Sequence, residues 1–466
     1  LANPKLFEKE GCMSEREKKE EKRLSRRDFI KKSAVGLAGA GLATLSMDSL
    51  FQWNPALAAN VKAPTFKLEK NPVIKVLRWS GFVKSDEQVW NANTKKWEKE
   101  TGGKVITEYL SWEDVRSKAA MEASVGAGHD IVLGWYDDPH LYPDKLLDVS
   151  DVATYLGKKY GGWYPVCEMY GKLYGTDKWI ALPIGSAGIC INYRVSWVKE
   201  AGYEKLPSDI EGFIKCCKKL KAKGHPTGFA LGHAVGDGNT WTHWWLWSFG
   251  GKAVEKDGKT IAINSKETVQ ALDAAKELYE TMIPGVASWL DPHNNKAFLS
   301  GQISVTSNGN SIFYASMKKF PDINKDLMTM NFPVGPVGHP AELSMISQAF
   351  IFKHTPVPNA AKHYLTFMFE KAQYGKWESE TWGYITQTLK DYYNLPAWKK
   401  DPRITPYREC VKRMLWNGYA GPMGPASAAA MSEYVIVDMF ADVCVGGKSP
   451  KAAAAAAERK LKKFYR

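Results

Sequence analysis

A chain of 466 residues with a formal net charge of +13 is long enough for two domains of ordinary size, each with a core of its own. The positive excess is spread thinly, without dense Lys/Arg clusters interleaved with aromatics, so no nucleic-acid partner is expected and the basic residues read as a solvated surface. Beyond residue 58 the cysteines (Cys167, Cys190, Cys216, Cys217, Cys410, Cys444) show no Cys-x-x-Cys spacing, and no histidines pair at ligand spacing, so neither a metal nor a cofactor is expected.

The first readable segment is LSRRDFIKKSAVGLAGAGLATL, residues 24–45. Its apolar run is too short and glycine-rich to span a membrane and reads as the h-region of a signal peptide. Ser25-Arg26-Arg27-Asp28-Phe29-Ile30-Lys31 resembles the twin-arginine export signal, which is read by the translocase that carries folded proteins. The small-x-small step Ala56-Leu57-Ala58 places cleavage before Ala59, and Met13 is a candidate start. No cysteine follows the cleavage step directly, so a periplasmic product without a lipid anchor is expected.

Residues 59–72 read as a linker, after which VIKVLRW (73–79), KVITEYL and HDIVLGWY predict three strands. Between them, EQVWNANTKKWEKETG and SWEDVRSKAAMEASVGAG predict helices, the first stopped at Gly102-Gly103 and the second opened by Ser111. This alternation implies a parallel sheet, whose ligands gather at the carboxyl ends of the strands. WIALPIGSAGICINYRVSWVKEAG then predicts a glycine-broken strand pair, followed by a helix that carries Cys216-Cys217 as packing groups. GFALGHAVGDGNTWTHWWLWSFGG predicts a strand, a turn and a Trp-rich helix capped by Asn239 or Thr240. Helices over 266–282 and 292–300, the strand QISVTSNGN and an extended return to the first sheet follow, and the last third is mostly helical.

The order of VLRWSGFVKSDEQVWNANTKKWEKETGGKV, HDIVLGWYDD, IALPIGSAGICINYRVSWVKEAGYEKLPSDIEGF and FLSGQISVTSNGNSIFYASM resembles the extracellular solute-binding proteins of ABC importers, family 1, the sugar and oligosaccharide branch. Asn192-Tyr193 inverts the Tyr-Asn pair usual in that family. The resemblance implies an α/β, two-lobed periplasmic-binding-protein fold of type II-like topology, each lobe a mixed sheet flanked by helices, joined by hinge crossings. The N-lobe would hold 73–183 plus 336–372 and the C-lobe 184–335 plus 373–466, with crossings near Ile184–Gly188, Asn331–Gly335 and 371–376. It also implies a non-enzymatic receptor that closes on a small solute and delivers it to a membrane permease. A monomer is expected.

A sugar offers C–H faces that stack on aromatic rings and hydroxyls that need paired donors and acceptors. On that chemistry the loop after the first strand contributes Trp79 and Lys84, and the strand ends add Trp112, Trp135, Tyr136 and Asp137. Asp138, before a proline, is a turn former. In the second lobe GDGNTWTHWW contributes Asp237, Asn239 and Trp241, with Trp244 or Trp245 turned into the core. SNGNS contributes Asn308 and Asn310, and Trp382, Tyr384 and Tyr434 come from the C-terminal third. For Trp79 and Trp241 the competing reading is a core aromatic. Competing functions are a polyol-phosphate or other anion binder, and a secreted carbohydrate-active enzyme using opposed carboxylates such as Asp137 and Asp237. A polyamine would need several carboxylates between aromatic plates, which the basic balance disfavours.

Overall fold

The computed structural model describes residues 61–466. The expected export signal and cleavage step lie outside the described residues. The chain first builds β1 (Val73–Trp79), α1 (Lys84–Thr101), β2 (Lys104–Leu110), α2 (Trp112–Val125), β3 (Ile131–Trp135), α3 (Ser150–Lys159), α4 (Pro165–Gly171) and β4 (Leu182–Ser186). It then forms β5 (Cys190–Arg194), α5 (Val195–Glu200), α6 (Ile210–Ala222), α7 (Asp237–Ser248), α8 (Lys266–Tyr279), α9 (Asp291–Leu299), β6 (Val305–Asn308), α10 (Ser311–Lys319), α11 (Pro321–Asp326) and β7 (Leu327–Met330). The remainder is β8 (Ile346–Ile351), α12 (Pro358–Phe369), α13 (Lys371–Glu380), α14 (Thr405–Arg413), α15 (Pro425–Ser432), α16 (Val435–Cys444) and α17 (Pro450–Leu461).

Two sheets divide these elements into two lobes. The N-lobe sheet has the order β2-β1-β3-β8-β4, and the C-lobe sheet the order β6-β5-β7. β1 runs parallel to β2 and β3, as the strand-helix alternation predicts, while β8 enters antiparallel between β3 and β4. Buried on both faces, β3, β4 and β8 have no exposed residue. The local signals work as expected: Gly102 ends α1 with a φ of 74°, a left-handed conformation that suits glycine, and Ser111 caps α2 by accepting from the Asp114 amide.

The chain leaves the first sheet between β4 and β5 and returns between β7 and β8. A third passage comes later than residues 371–376. α13 lies against α1, where Trp377 packs on Trp90 and donates its indole N–H to Asp86 Oδ1 at 2.7 Å, so it stays with the N-lobe. Only after it does the backbone pair with the first crossing, through Thr386 N to Ser186 O at 2.8 Å and Ser186 N to Thr386 O at 3.0 Å. The stretch GFAL, expected as a strand, makes single bonds (Gly228 N to Val305 O, Leu231 N to Val286 O) rather than a ladder. Helix α7 begins at Asp237, two residues before the expected cap, because the carboxylate of Asp291 takes over the capping role.

A candidate solute site between the lobes

On the N-lobe side the site is aromatic. Trp79 ends β1, Trp135 ends the neighbouring β3, and Trp112 opens the helix after β2, so parallel pairing brings three tryptophans to one sheet edge. Trp135 stacks on Trp112 with ring centroids 4.3 Å apart and lies 4.7 Å from Trp79. Its indole N–H donates to the Trp112 carbonyl at 3.0 Å, which fixes the ladder. Phe82 meets Trp112 edge-on. Behind Trp79 the buried guanidinium of Arg78 sits over its ring and pairs with Asp86 at 2.6 Å.

The C-lobe side is polar. The N-termini of α7, α9 and α10 meet the end of β6, and their side chains form one network. Asp291 Oδ1 accepts from the amides of Gly236 at 3.0 Å and Asp237 at 2.7 Å. Asp237 Oδ2 accepts from Asn294 Nδ2 at 2.8 Å and Asn308 Nδ2 at 3.3 Å, and Ser311 Oγ donates to Asn308 Oδ1 at 2.7 Å. Burial, with the charge of Asp291 adding to it, pushes the Asp237 carboxyl well above the usual carboxylate range against these donors. Burial likewise pushes Asp291 up to about 6, where amide donation opposes the rise and the Glu113 charge on the other lobe adds to it.

The two faces touch. The Tyr136 hydroxyl donates to the Gly236 carbonyl and lies 3.3 Å from Thr240 Oγ1. Asn310 Nδ2 donates to the carbonyl of Trp382, directly after α13. A Cβ on Gly236 would fall 3.4 Å from the Trp112 ring and 3.0 Å from Asp291 Oδ1, so glycine permits this approach. Around the contact, several buried polar atoms have no hydrogen-bond partner: the indole nitrogen of Trp112, Ser307 Oγ, Asn239 Oδ1 and Asn310 Oδ1. Buried polar atoms are normally satisfied, so these stand ready to exchange hydrogen bonds with a polar group.

Of the residues singled out in the sequence, Trp79, Trp112, Trp135, Tyr136, Trp382 and Tyr384 fall on the N-lobe side of this contact, and Asp237, Asn239, Asn308 and Asn310 on the C-lobe side. Four others stand outside these two groups. Trp241 lies in the C-lobe core, fully buried between Phe229 and Phe440, with its indole N–H donating to the Ala230 carbonyl at 2.6 Å. Lys84 is exposed at the start of α1. Asp137 is buried but faces the C-terminal segment, accepting from Asn417 Nδ2 at 2.6 Å and Ser427 Oγ at 2.9 Å; burial pushes its carboxyl up to about 7. Tyr434 is half-buried and stacks on His233 at 4.4 Å. Sequence reasoning missed Asp291, Asn294 and Ser311. The run Asp291-Pro-His-Asn-Asn reads as an ordinary helix start, and only its two adjacent asparagines hint at a buried amide pair.

Residues 92–406 match the family model for bacterial extracellular solute-binding proteins, and the chain belongs to that family. No curated protein matches it in sequence. Among solved structures, it is similar to the GacH receptor of Streptomyces glaucescens, described unliganded and with acarbose, at 18% identity and a TM-score of 0.70, covering 85% of this chain and 100% of that one. A sugar transporter from Arthrobacter chlorophenolicus with bound laminaribiose matches at 18% identity and a TM-score of 0.72, with 85% and 100% covered. A solute-binding protein from Thermotoga lettingae bound with α-D-tagatose matches at 16% identity and a TM-score of 0.72, with the same coverage. At these identities the likeness establishes the two-lobed fold.

Proposed function

We propose that this protein is the solute-binding component of an ABC importer, taking a mono- or oligosaccharide between its lobes and presenting the closed form to a membrane permease. The observation that carries the reading is the tryptophan ladder facing an amide and carboxylate network, with unpartnered polar atoms on both sides. Rings cover the C–H faces of a sugar and the network exchanges hydrogen bonds with its hydroxyls. The solved neighbours described with acarbose, laminaribiose and tagatose support the same class. The lobes divide at the two crossings flanking β4–β5 and β7–β8, with the third moved beyond α13.

Binding without turnover is part of the proposal. Asp137 is engaged by Asn417 and Ser427 and Asp237 by Asn294 and Asn308, so the two carboxylates serve different networks rather than flanking one bond. Export by the twin-arginine route rests on Arg26 and Arg27, and a monomeric periplasmic receptor is the expected product. Replacing both arginines by lysine should leave the protein in the cytoplasm, as fractionation would show.

Thermal-shift titration against a panel of sugars, polyol phosphates and oligosaccharides tests the central reading, because a ligand that binds the native state raises its apparent stability by mass action. A saturable shift with one sugar class and no product formation is the expected result. A shift confined to polyol phosphates would replace sugar by an anionic solute, and product formation would replace receptor by enzyme.

A further inference from the structure

We propose that Trp382 is a strained clasp between the lobes, closed by the captured solute through Asn310; the inference rests on the solute-receptor reading and concerns how firmly the closed form keeps its solute. Among the described residues, four other than glycine have a positive φ: Asn71 at 49°, Tyr136 at 43°, Trp382 at 57° and Tyr434 at 51°. Asparagine visits this left-handed region readily, whereas a bulky aromatic stays there only where its surroundings enforce it.

What enforces it differs among the three aromatics. Tyr136 is held inside the N-lobe, its amide donating to the Ile346 carbonyl at 2.7 Å and its carbonyl accepting from Gln348 Nε2 at 3.1 Å. Tyr434 is held by its own helix, its amide donating to the Met431 carbonyl at 3.1 Å and its carbonyl accepting from the Asp438 amide at 2.9 Å. Trp382 is held from the other lobe. Its amide has only a long 3.4 Å bond to the Ser379 carbonyl, while its carbonyl accepts from Asn310 Nδ2, at the start of α10, and its ring lies 6.4 Å from that of Phe313 within α10. Lys400 lies over the same ring at 4.8 Å.

The position is that of a hinge. Trp382 follows α13, its neighbour Gly383 is left-handed as well at 73°, and Thr386 a few residues on pairs with Ser186 of the first crossing. Hinges are the few residues that absorb the backbone change when lobes move. Opening withdraws the α10 contacts and lets Trp382 leave the left-handed region; closing drives it back.

Asn310 ties this movement to the solute. A carbonyl only accepts, so the amide nitrogen of Asn310 faces Trp382 and Oδ1 is left as an acceptor, buried and without a hydrogen-bond partner. A solute hydroxyl donating to Oδ1 fixes the amide in the orientation that holds Trp382. The strain opposes closure until that bond forms and favours reopening once it is lost, so the clasp limits affinity and promotes release.

Isothermal titration of the full chain with laminaribiose, maltose, tagatose and ribitol tests the proposal. For a probe that the parent binds, Trp382→Gly should bind at least about fivefold more tightly than Trp382→Ala, because both lack the ring and only alanine resists the left-handed region. Trp382→Asn against the same alanine variant repeats the comparison without the added freedom of glycine. Tyr434→Gly and Tyr434→Ala should differ less than about twofold, since that backbone is held within one lobe in both states, and adding Asn310→Ala should collapse the difference at Trp382. Equal binding by the three Trp382 variants would overturn the clasp and leave the carbohydrate reading standing. Absence of binding by every probe to the parent would count against the carbohydrate reading alone, because small-angle scattering of the solute-free variants then decides the clasp: Trp382→Gly should be more compact than Trp382→Ala, and equal radii of gyration would overturn it.

Discussion

On the N-lobe side the interlobe surface is a ladder of rings, Trp79, Trp135 and Trp112, held by stacking and one indole hydrogen bond. On the C-lobe side it is a network of short polar side chains around Asp237 and Asp291, held by directed bonds to helix N-termini. The rings supply area with little directional demand, whereas the network fixes donor and acceptor positions to within tenths of an ångström. Affinity is therefore expected to rest on the first face and selectivity on the second. The difference also separates two kinds of tryptophan, since Trp241 belongs to the C-lobe core and Trp112 to the surface between lobes.

Substitutions can break this comparison. Trp241→Ala should have the largest effect, costing about 3–5 kcal/mol through a core cavity and the lost bond to Ala230, as urea unfolding would measure. If that variant were as stable as the parent and bound less tightly, Trp241 would belong with the ladder. Trp112→Ala should lower solute affinity about tenfold, in line with the ~1.4 kcal/mol that a well-placed aromatic contact contributes, while circular dichroism stays native.

Asp137→Asn probes a carboxylate outside both faces. Burial holds its proton up to about 7, so between about pH 4 and 7 the native state keeps a proton that the unfolded chain has released. Stability therefore falls as pH rises through that window, and Asp291, held up to about 6, contributes the same sign over its lower part. The variant should flatten the fall in melting temperature between pH 4 and 7 without changing solute affinity. Lys84→Ala should have the smallest effect, within about 0.5 kcal/mol on stability and without change in affinity, because the side chain is exposed.

Strand and helix order was legible where periodicity and punctuation agree. VIKVLRW coincides with β1, Gly102 with a helix stop and Ser111 with a cap, because each depends on neighbours along the chain. Trp79, Trp112, Trp135 and Tyr136 were expected near one another by the same logic, since residues at the carboxyl ends of parallel strands share an edge, whereas Trp382 and Tyr384 were expected from the family resemblance alone. The helix cap at Asp237 was not legible, because its partner Asp291 lies 54 residues away and is brought in only by packing of α9 on β6.

The sequence by itself determined the α/β alternation, the strands that end in Trp79 and Trp135 and the short polar residues of SNGNS, all properties of local pattern. Only the tertiary structure decided which rings are core and which face the other lobe, as Trp241 and Trp112 illustrate with the same side chain. It also decided that Asp137 turns to Asn417 and Ser427 while Asp237 turns to the network. Burial and long-range hydrogen bonding set those fates, and neither is a function of a residue's neighbours along the chain.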